Sequence, residues 1–113
     1  MMIEEMKNGR VLVIKPRERR IDAASANAFK TRLKELIQGR ERFIVLDLAE
    51  VDFIDSTGLG AIVTVLKALG GDGELVICNP RETVSSLFRL TRMNRVFQIF
   101  SSVEEAVANI AGD

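Results

Sequence analysis

The chain has 113 residues, enough for one ordinary hydrophobic core and too few for two. Sixteen Lys and Arg balance sixteen Asp and Glu, and 47% of the residues are apolar; this excludes a disordered chain and argues against nucleic-acid binding, which needs a cationic surplus. The single cysteine, Cys78, excludes an internal disulfide, and no stretch reaches the ~20 apolar residues of a membrane helix.

Residues 1–6 read as an edge strand, with Asn8-Gly9 as a hairpin turn into VLVI at 11–14, a β-branched strand that Pro16 stops. The opening MMIEEMKNGR has no apolar core of the kind a secretory signal carries, so none is expected. Asp22 is placed to cap a helix. Behind it Phe29, Leu33, Leu36 and Ile37 fall on one helical face, and Gly39 is placed to end that helix. FIVLDL at 43–48 is nearly continuous in apolar residues, as a central parallel strand requires.

Leu59, Ile62, Val63, Leu66 and Leu69 predict a second helix, followed by a turn through Gly70, Gly71 and Gly73. ELVIC at 74–78 is another strand, with Cys78 expected as a small buried hydrophobe. Asn79-Pro80-Arg81-Glu82 predicts a helix start with Asn79 as cap and Pro80 at the first helical position; Val84, Leu87 and Phe88 give that helix its buried side. VFQIF at 96–100 predicts a last strand. Ser102 with Glu105 forms a capping box for a final helix through Val103, Ala106, Val107 and Ile110. Strands thus alternate with helices, which specifies an α/β sheet with helical cover.

The chemistry-bearing stretch is DFIDSTGLGAIV at 52–63. The chain has no histidine, which excludes Ser-His-Asp and Cys-His mechanisms. GLG lacks the Gly-Lys-Ser/Thr of a phosphate-binding loop. Asp47, Asp52 and Asp55 offer oxygens to a metal, but three acids so spaced read better as caps and solvated charges. Ser56 reads as a helix cap or as a functional hydroxyl. Asp55, Ser56 and Thr57 supply three candidate caps where one suffices. Opposite the apolar stripe lie Gly58, Ala61, Thr64, Val65 and Ala68, with Lys67 as the one charge. Such a face is either covered by the protein's own elements or kept for a partner, and the sequence leaves both open.

DFIDSTGLGAIV also resembles the central signature of the STAS family, in particular of its single-domain anti-sigma factor antagonists. The similarity extends through RIDAASANAFKTRL, IVLDLAEVDFIDSTGLGAIV and GDGELVICNPRETVSSLFRLTRMNRVFQIF, nearly the whole chain. It implies a single STAS domain over 1–113, an α/β fold with a mixed four- to five-stranded sheet and about four helices, and a bacterial, cytoplasmic monomer or weak dimer. It further implies a regulator of transcription and signal transduction and not an enzyme, with no cofactor or metal.

By that resemblance Ser56, directly after the loop acid, is the phosphorylation site. The partner is an anti-sigma factor that is also a GHKL-type serine kinase, and a PP2C-type phosphatase reverses the mark. The unphosphorylated protein binds the anti-sigma factor and frees the sigma factor; phosphorylation ends the binding. Asp22 matches a family acid close to the modified serine. Asp22, Asp55, Thr57, Gly58, Leu59, Gly60, Ala61 and Thr64 are the expected contact residues, Gly58 and Gly60 letting a kinase approach the backbone. The family usually carries a glycine where Arg19 stands, inside a PRERR segment at 16–20 that reads as a solvated loop or as a set of arginines for acids and phosphate. Two other roles stay open: an unphosphorylated scaffold or accessory subunit of a stress-signalling complex or lipid transporter, and a nucleotide or anion site at the Gly58 helix N-terminus.

Overall fold

In the computed structural model the described residues are 1–111, so the last two residues of the expected domain, Gly112 and Asp113, lie outside them. Ile3–Asn8 form strand β1 and Val11–Pro16 strand β2, an antiparallel pair with Asn8 opposite Val11. The two turn residues are therefore Gly9 and Arg10, one position later than expected. Gly9 takes the positive φ of +61° that a tight hairpin demands of its first central residue. Pro16 ends β2 from within, as its last paired residue opposite Ile3.

Arg20–Ile21 form β3, Ala26–Gln38 helix α1, and Phe43–Asp47 strand β4. Phe53–Ile54 form β5, Ser56–Leu69 helix α2, and Glu74–Cys78 strand β6. Glu82–Leu90 form helix α3, Ile99–Phe100 strand β7, and Val103–Ala111 helix α4. One sheet runs β1-β2-β4-β6-β7, parallel except for β1, and β3 pairs with β5 apart from it. Five strands, mixed, with four α-helices, match the expected architecture.

Strand periodicity divides the core into two layers. Leu12 and Ile14 of β2, Ile44 and Leu46 of β4, and Leu75 and Ile77 of β6 face α1, α2 and α3. Their alternates Val11, Val13, Val45, Val76 and Cys78 face α4 through Ala106 and Ile110. Burial in that second layer pushes the Cys78 thiol up to about 12, with the charges of Asp47 and Glu104 acting the same way. Among the described residues no helix is long and apolar enough to cross a membrane.

Two local expectations are corrected. Asn79 does not cap α3; it adopts φ +55° and donates its side-chain amide to buried Asp47 at 3.2 Å. The helix opens two residues later than expected, with Arg81 at the cap position and Pro80 before it. The VFQIF strand shrinks to Ile99–Phe100, because Met93–Arg95 form a 3-10 turn and Phe97 turns into the core, 6.3 Å from the ring of Phe88. Gly39 ends α1 as expected, at an ordinary φ of −78°, and the left-handed conformation falls on Arg40. The Ser102–Glu105 cap is present: the Glu105 N–H donates to Ser102 Oγ at 3.0 Å, and the Glu105 carboxylate accepts from the Ser101 N–H at 3.3 Å.

Candidate functional site

The site is assembled by the short β3/β5 ladder. Arg20 pairs with Phe53 and Ile21 with Ile54, in parallel. The Arg19 carbonyl accepts from the Asp52 and Phe53 amides at 2.7 and 3.1 Å, and the Ile21 carbonyl accepts from the Asp55 amide at 3.3 Å. Two residues per strand cannot hold themselves together. Ile21 and Ile54, both buried, anchor the ladder to the core below. Its effect is to lay the loop before α1 beside the first turn of α2. That juxtaposition brings Asp22 and Ser56 into one region although 34 positions separate them in the chain.

Asp55 performs the capping. Its Oδ1 accepts from the Gly58 N–H at 2.8 Å, and its Oδ2 accepts from the Ala23 N–H at 3.2 Å, tying α2 to the loop before α1. Asp22 does not cap α1; Ser25 holds the cap position. Asp22 instead closes the preceding turn, its Oδ1 accepting from the Ala24 N–H at 3.1 Å while its Oδ2 pairs with Arg20 Nε at 3.2 Å. The Arg20 hydrogen bond holds the Asp22 carboxyl below the usual aspartate range, against the opposing effect of desolvation. The Arg20 guanidinium also stacks over Phe53, 4.3 Å from the ring centroid.

With Asp55 as cap, Ser56 is relieved of that duty. It is the first residue of α2 and exposed, and its hydroxyl has no hydrogen-bond partner among the described residues. Thr57 beside it is also exposed.

Of the two readings open for the face from Gly58 to Ala68, covered or kept for a partner, the structure shows part of the face covered. Gly58, Ala61 and Val65 are buried, and their small size serves close packing within the domain. A Cβ on Gly58 would stand 2.1 Å from the Ile21 carbonyl oxygen, so this glycine admits β3. Leu59 is half-buried and packs on the core. Gly60 is exposed with open space around it, and Thr64 is half-buried, its Oγ1 donating to the Gly60 carbonyl at 2.9 Å. Between α1 and α2 runs a shallow groove of about 360 Å³, floored by Ala26 and Ala61 and walled by Asn27, Lys30, Thr57 and Thr64. Of the eight expected contact residues, Gly58 is buried, Ala61 reaches the surface only at the floor of this groove, and Asp22, Asp55, Thr57, Leu59, Gly60 and Thr64 surround the mouth of α2 to differing depth.

The PRERR arginines are not simply solvated. Arg17 pairs with Glu4 and with Glu50, and Arg19 with Asp52 at 2.5 Å. Asp52 also receives Arg81 at 3.1 Å. Asp47 accepts from the Ala49 N–H at 3.0 Å and from Asn79. The three acids once considered for a metal thus hold three different sets of partners, and do not converge. The Arg20–Phe53 stack and the β3/β5 ladder had no signal in the sequence.

The family model described as the STAS domain matches residues 3–106. The anti-sigma-B factor antagonist of Listeria monocytogenes is 36% identical over 81 residues, 70% of this chain and 70% of that protein. The crystal structure of an anti-sigma factor antagonist from Mycobacterium paratuberculosis superposes with a TM-score of 0.89 at 18% identity, covering 97% of this chain and 93% of that one. The Bacillus cell fate determinant SpoIIAA, solved in its phosphorylated form, superposes with a TM-score of 0.73 at 19% identity, covering 96% and 99% of the two chains. At such identities the two structural likenesses speak to the fold alone.

Proposed function

The chain belongs to the STAS family, among relatives that are anti-sigma factor antagonists, and we propose that it is a partner switch whose control point is Ser56. It acts by contact and not by catalysis, as a single domain over 1–113 in the cytoplasm. Unphosphorylated, it binds an anti-sigma factor and so frees the sigma factor. That anti-sigma factor is a GHKL-type serine kinase that phosphorylates Ser56, and a PP2C-type phosphatase restores the hydroxyl. Asp22, Asp55, Thr57, Leu59, Gly60 and Thr64 form the contact region around it.

The observation that carries this reading is the exposed, unbonded Ser56 hydroxyl on the first residue of a helix that Asp55 already caps. A phosphate there adds about 1.5 to 2 negative charges and three acceptor oxygens. The free N–H groups and dipole of the helix start favour that charge, so the fold tolerates it. A docked partner does not. Asp22 and Asp55 already make the mouth of α2 acidic, and an interface built around a neutral hydroxyl meets repulsion and desolvation. A coupling of about 3 kcal/mol weakens binding ~100-fold.

The test is incubation with each GHKL-type anti-sigma factor of the same genome and ATP, followed by mass spectrometry and calorimetric titration. One phosphate on Ser56, absent from Ser56→Ala, and lost binding after modification are the expected results. Phosphate uptake by Ser56→Ala at the full rate would remove the assignment.

A further inference from the structure

The groove between α1 and α2 leads away from the contact region around Ser56. Ala23, Ala26 and Lys30 line it on the α1 side, Thr57, Gly60 and Thr64 on the α2 side. Each helix leads into one of two parallel strands, β4 and β6, so the two helices run in the same direction. Helical period then places Lys34 one turn beyond Lys30 on the α1 wall, and Lys67 one turn beyond Thr64 on the α2 rim. From Thr57 to Lys67 the rim is about 15 Å long.

These three side chains are the free lysines of the molecule. Of the chain's five lysines, Lys7 is held by Glu41 and Lys15 by Glu50. Lys30, half-buried, and Lys34 and Lys67, both exposed, have no ion pair among the described residues. Neither helix offers them a carboxylate. α2 carries no acid, and Glu35 of α1 is taken by Arg32 at 3.3 Å. Asp72, in the turn after α2, pairs with none of them. At the mouth, Asp22 is held by Arg20 and the Ala24 N–H, and Asp55 by the N–H groups of Gly58 and Ala23. Lys67 complements the dipole in the last turn of α2, whereas Lys30 and Lys34 lie before the last turn of α1 and have no such role. The charge this face leaves unanswered is therefore positive, and it lies along the groove.

From this row of unpaired cations on a groove that opens at Thr57, we infer that the α1/α2 groove seats an acidic segment of the same protein that docks at Ser56. The inference rests on the reading of Ser56 as the docking mouth, and it names the charge of what docks there. The segment's carboxylates meet Lys30 in the wall and Lys34 and Lys67 at the far end, and the open space over Gly60 lets its backbone come close. The same arrangement gives the switch its sign. Phosphate on Ser56 places negative charge at the head of a groove whose occupant is itself anionic, and the two repel.

The experiment is calorimetric titration and stopped-flow association of the full chain with its GHKL-type anti-sigma factor. The unchanged protein is compared with Ser56→Asp, Lys30→Gln, Lys34→Glu, Lys67→Glu and Arg95→Glu. Arg95 is exposed and without an ion pair among the described residues, as the lysines are, but lies in the turn before β7. Each lysine variant should weaken binding about threefold to tenfold, chiefly by slowing association, and the difference should shrink as salt rises. Arg95→Glu should bind as the unchanged protein does. Lys34 and Lys67 are exposed and Lys30→Gln brings no new charge into the groove wall, so thermal melts should match the unchanged protein. Binding abolished by Ser56→Asp and untouched by all three lysine variants overturns the inference and leaves the switch standing. An equal loss with Arg95→Glu overturns it too, since overall charge and not the groove would then be at work. No binding by the unchanged chain overturns both readings. Flotation with phosphatidylglycerol vesicles that Lys34→Glu abolishes, with partner affinity intact, gives the lysines to a lipid surface and overturns the inference.

Discussion

Two glycines two positions apart have opposite reasons for being glycine. Gly58 lies where a Cβ would stand 2.1 Å from the Ile21 carbonyl oxygen, a backbone atom that cannot swing aside. Gly58→Ala must push α2 away from β3, and should cost about 1–3 kcal/mol in urea unfolding. Gly60, in the same helix, would place its Cβ in open space. Gly60→Ala should be neutral or stabilising by up to about 1 kcal/mol, through helix propensity. Equal losses at both positions would show that the close approach of α2 to β3 is not what fixes Gly58. At Asp22 the issue is protonation. The Arg20 hydrogen bond depresses its folded value below the unfolded one. The carboxylate therefore contributes stability above the unfolded value, and that contribution is lost as pH falls through the lower, folded value. In an NMR titration, Arg20→Ala should move the Asp22 midpoint upward.

At the scale of elements, the β3/β5 ladder decides whether a site exists at all. Its hydrogen bonds are few, and its stability comes from Ile21 and Ile54 beneath. Ile54→Ala should cost about 2–5 kcal/mol overall. It should also raise hydrogen exchange at the Asp55 amide, which donates to the Ile21 carbonyl, before the central strands respond. Global loss without selective exchange there would mean that the ladder is not a separate unit. This element was the least legible in the sequence. Strands β2, β4 and β6 announce themselves because strands buried on both faces are continuous apolar runs. The cap of α4 is legible because Ser102 and Glu105 satisfy each other locally. A two-residue strand has no period to read, so the contact that joins Asp22 to Ser56 stayed hidden. The outer face of α2 stayed ambiguous for a different reason. Small residues serve close packing as well as open surface, and Gly58 and Ala61 are small because β3 and the core press on them. Asn79 carries every cap signal yet serves Asp47, a partner 32 residues away.

For the whole molecule, the switch requires that charging Ser56 change what the protein binds without changing what it is. Several features bear on this. The hydroxyl faces water, so a phosphate enters without desolvation. Asp55 already occupies the Gly58 N–H, so the phosphate does not displace the cap. The helix start favours an anion by about 0.3–1 kcal/mol, and the carboxylates of Asp22 and Asp55 oppose it by a comparable amount across solvent. The net effect on folding should therefore stay within about 1 kcal/mol, a few degrees in melting temperature for a domain of this size. Calorimetric melts of the phosphorylated and unphosphorylated chains, both at moderate salt, measure it. Near-coincident, equally cooperative transitions together with ~100-fold weaker partner binding are expected. A phosphorylated chain that melts far lower, or without cooperativity, would locate the switch in the stability of α2 and the β3/β5 ladder, and the partner would then be sensing a loosened fold in place of a charged surface.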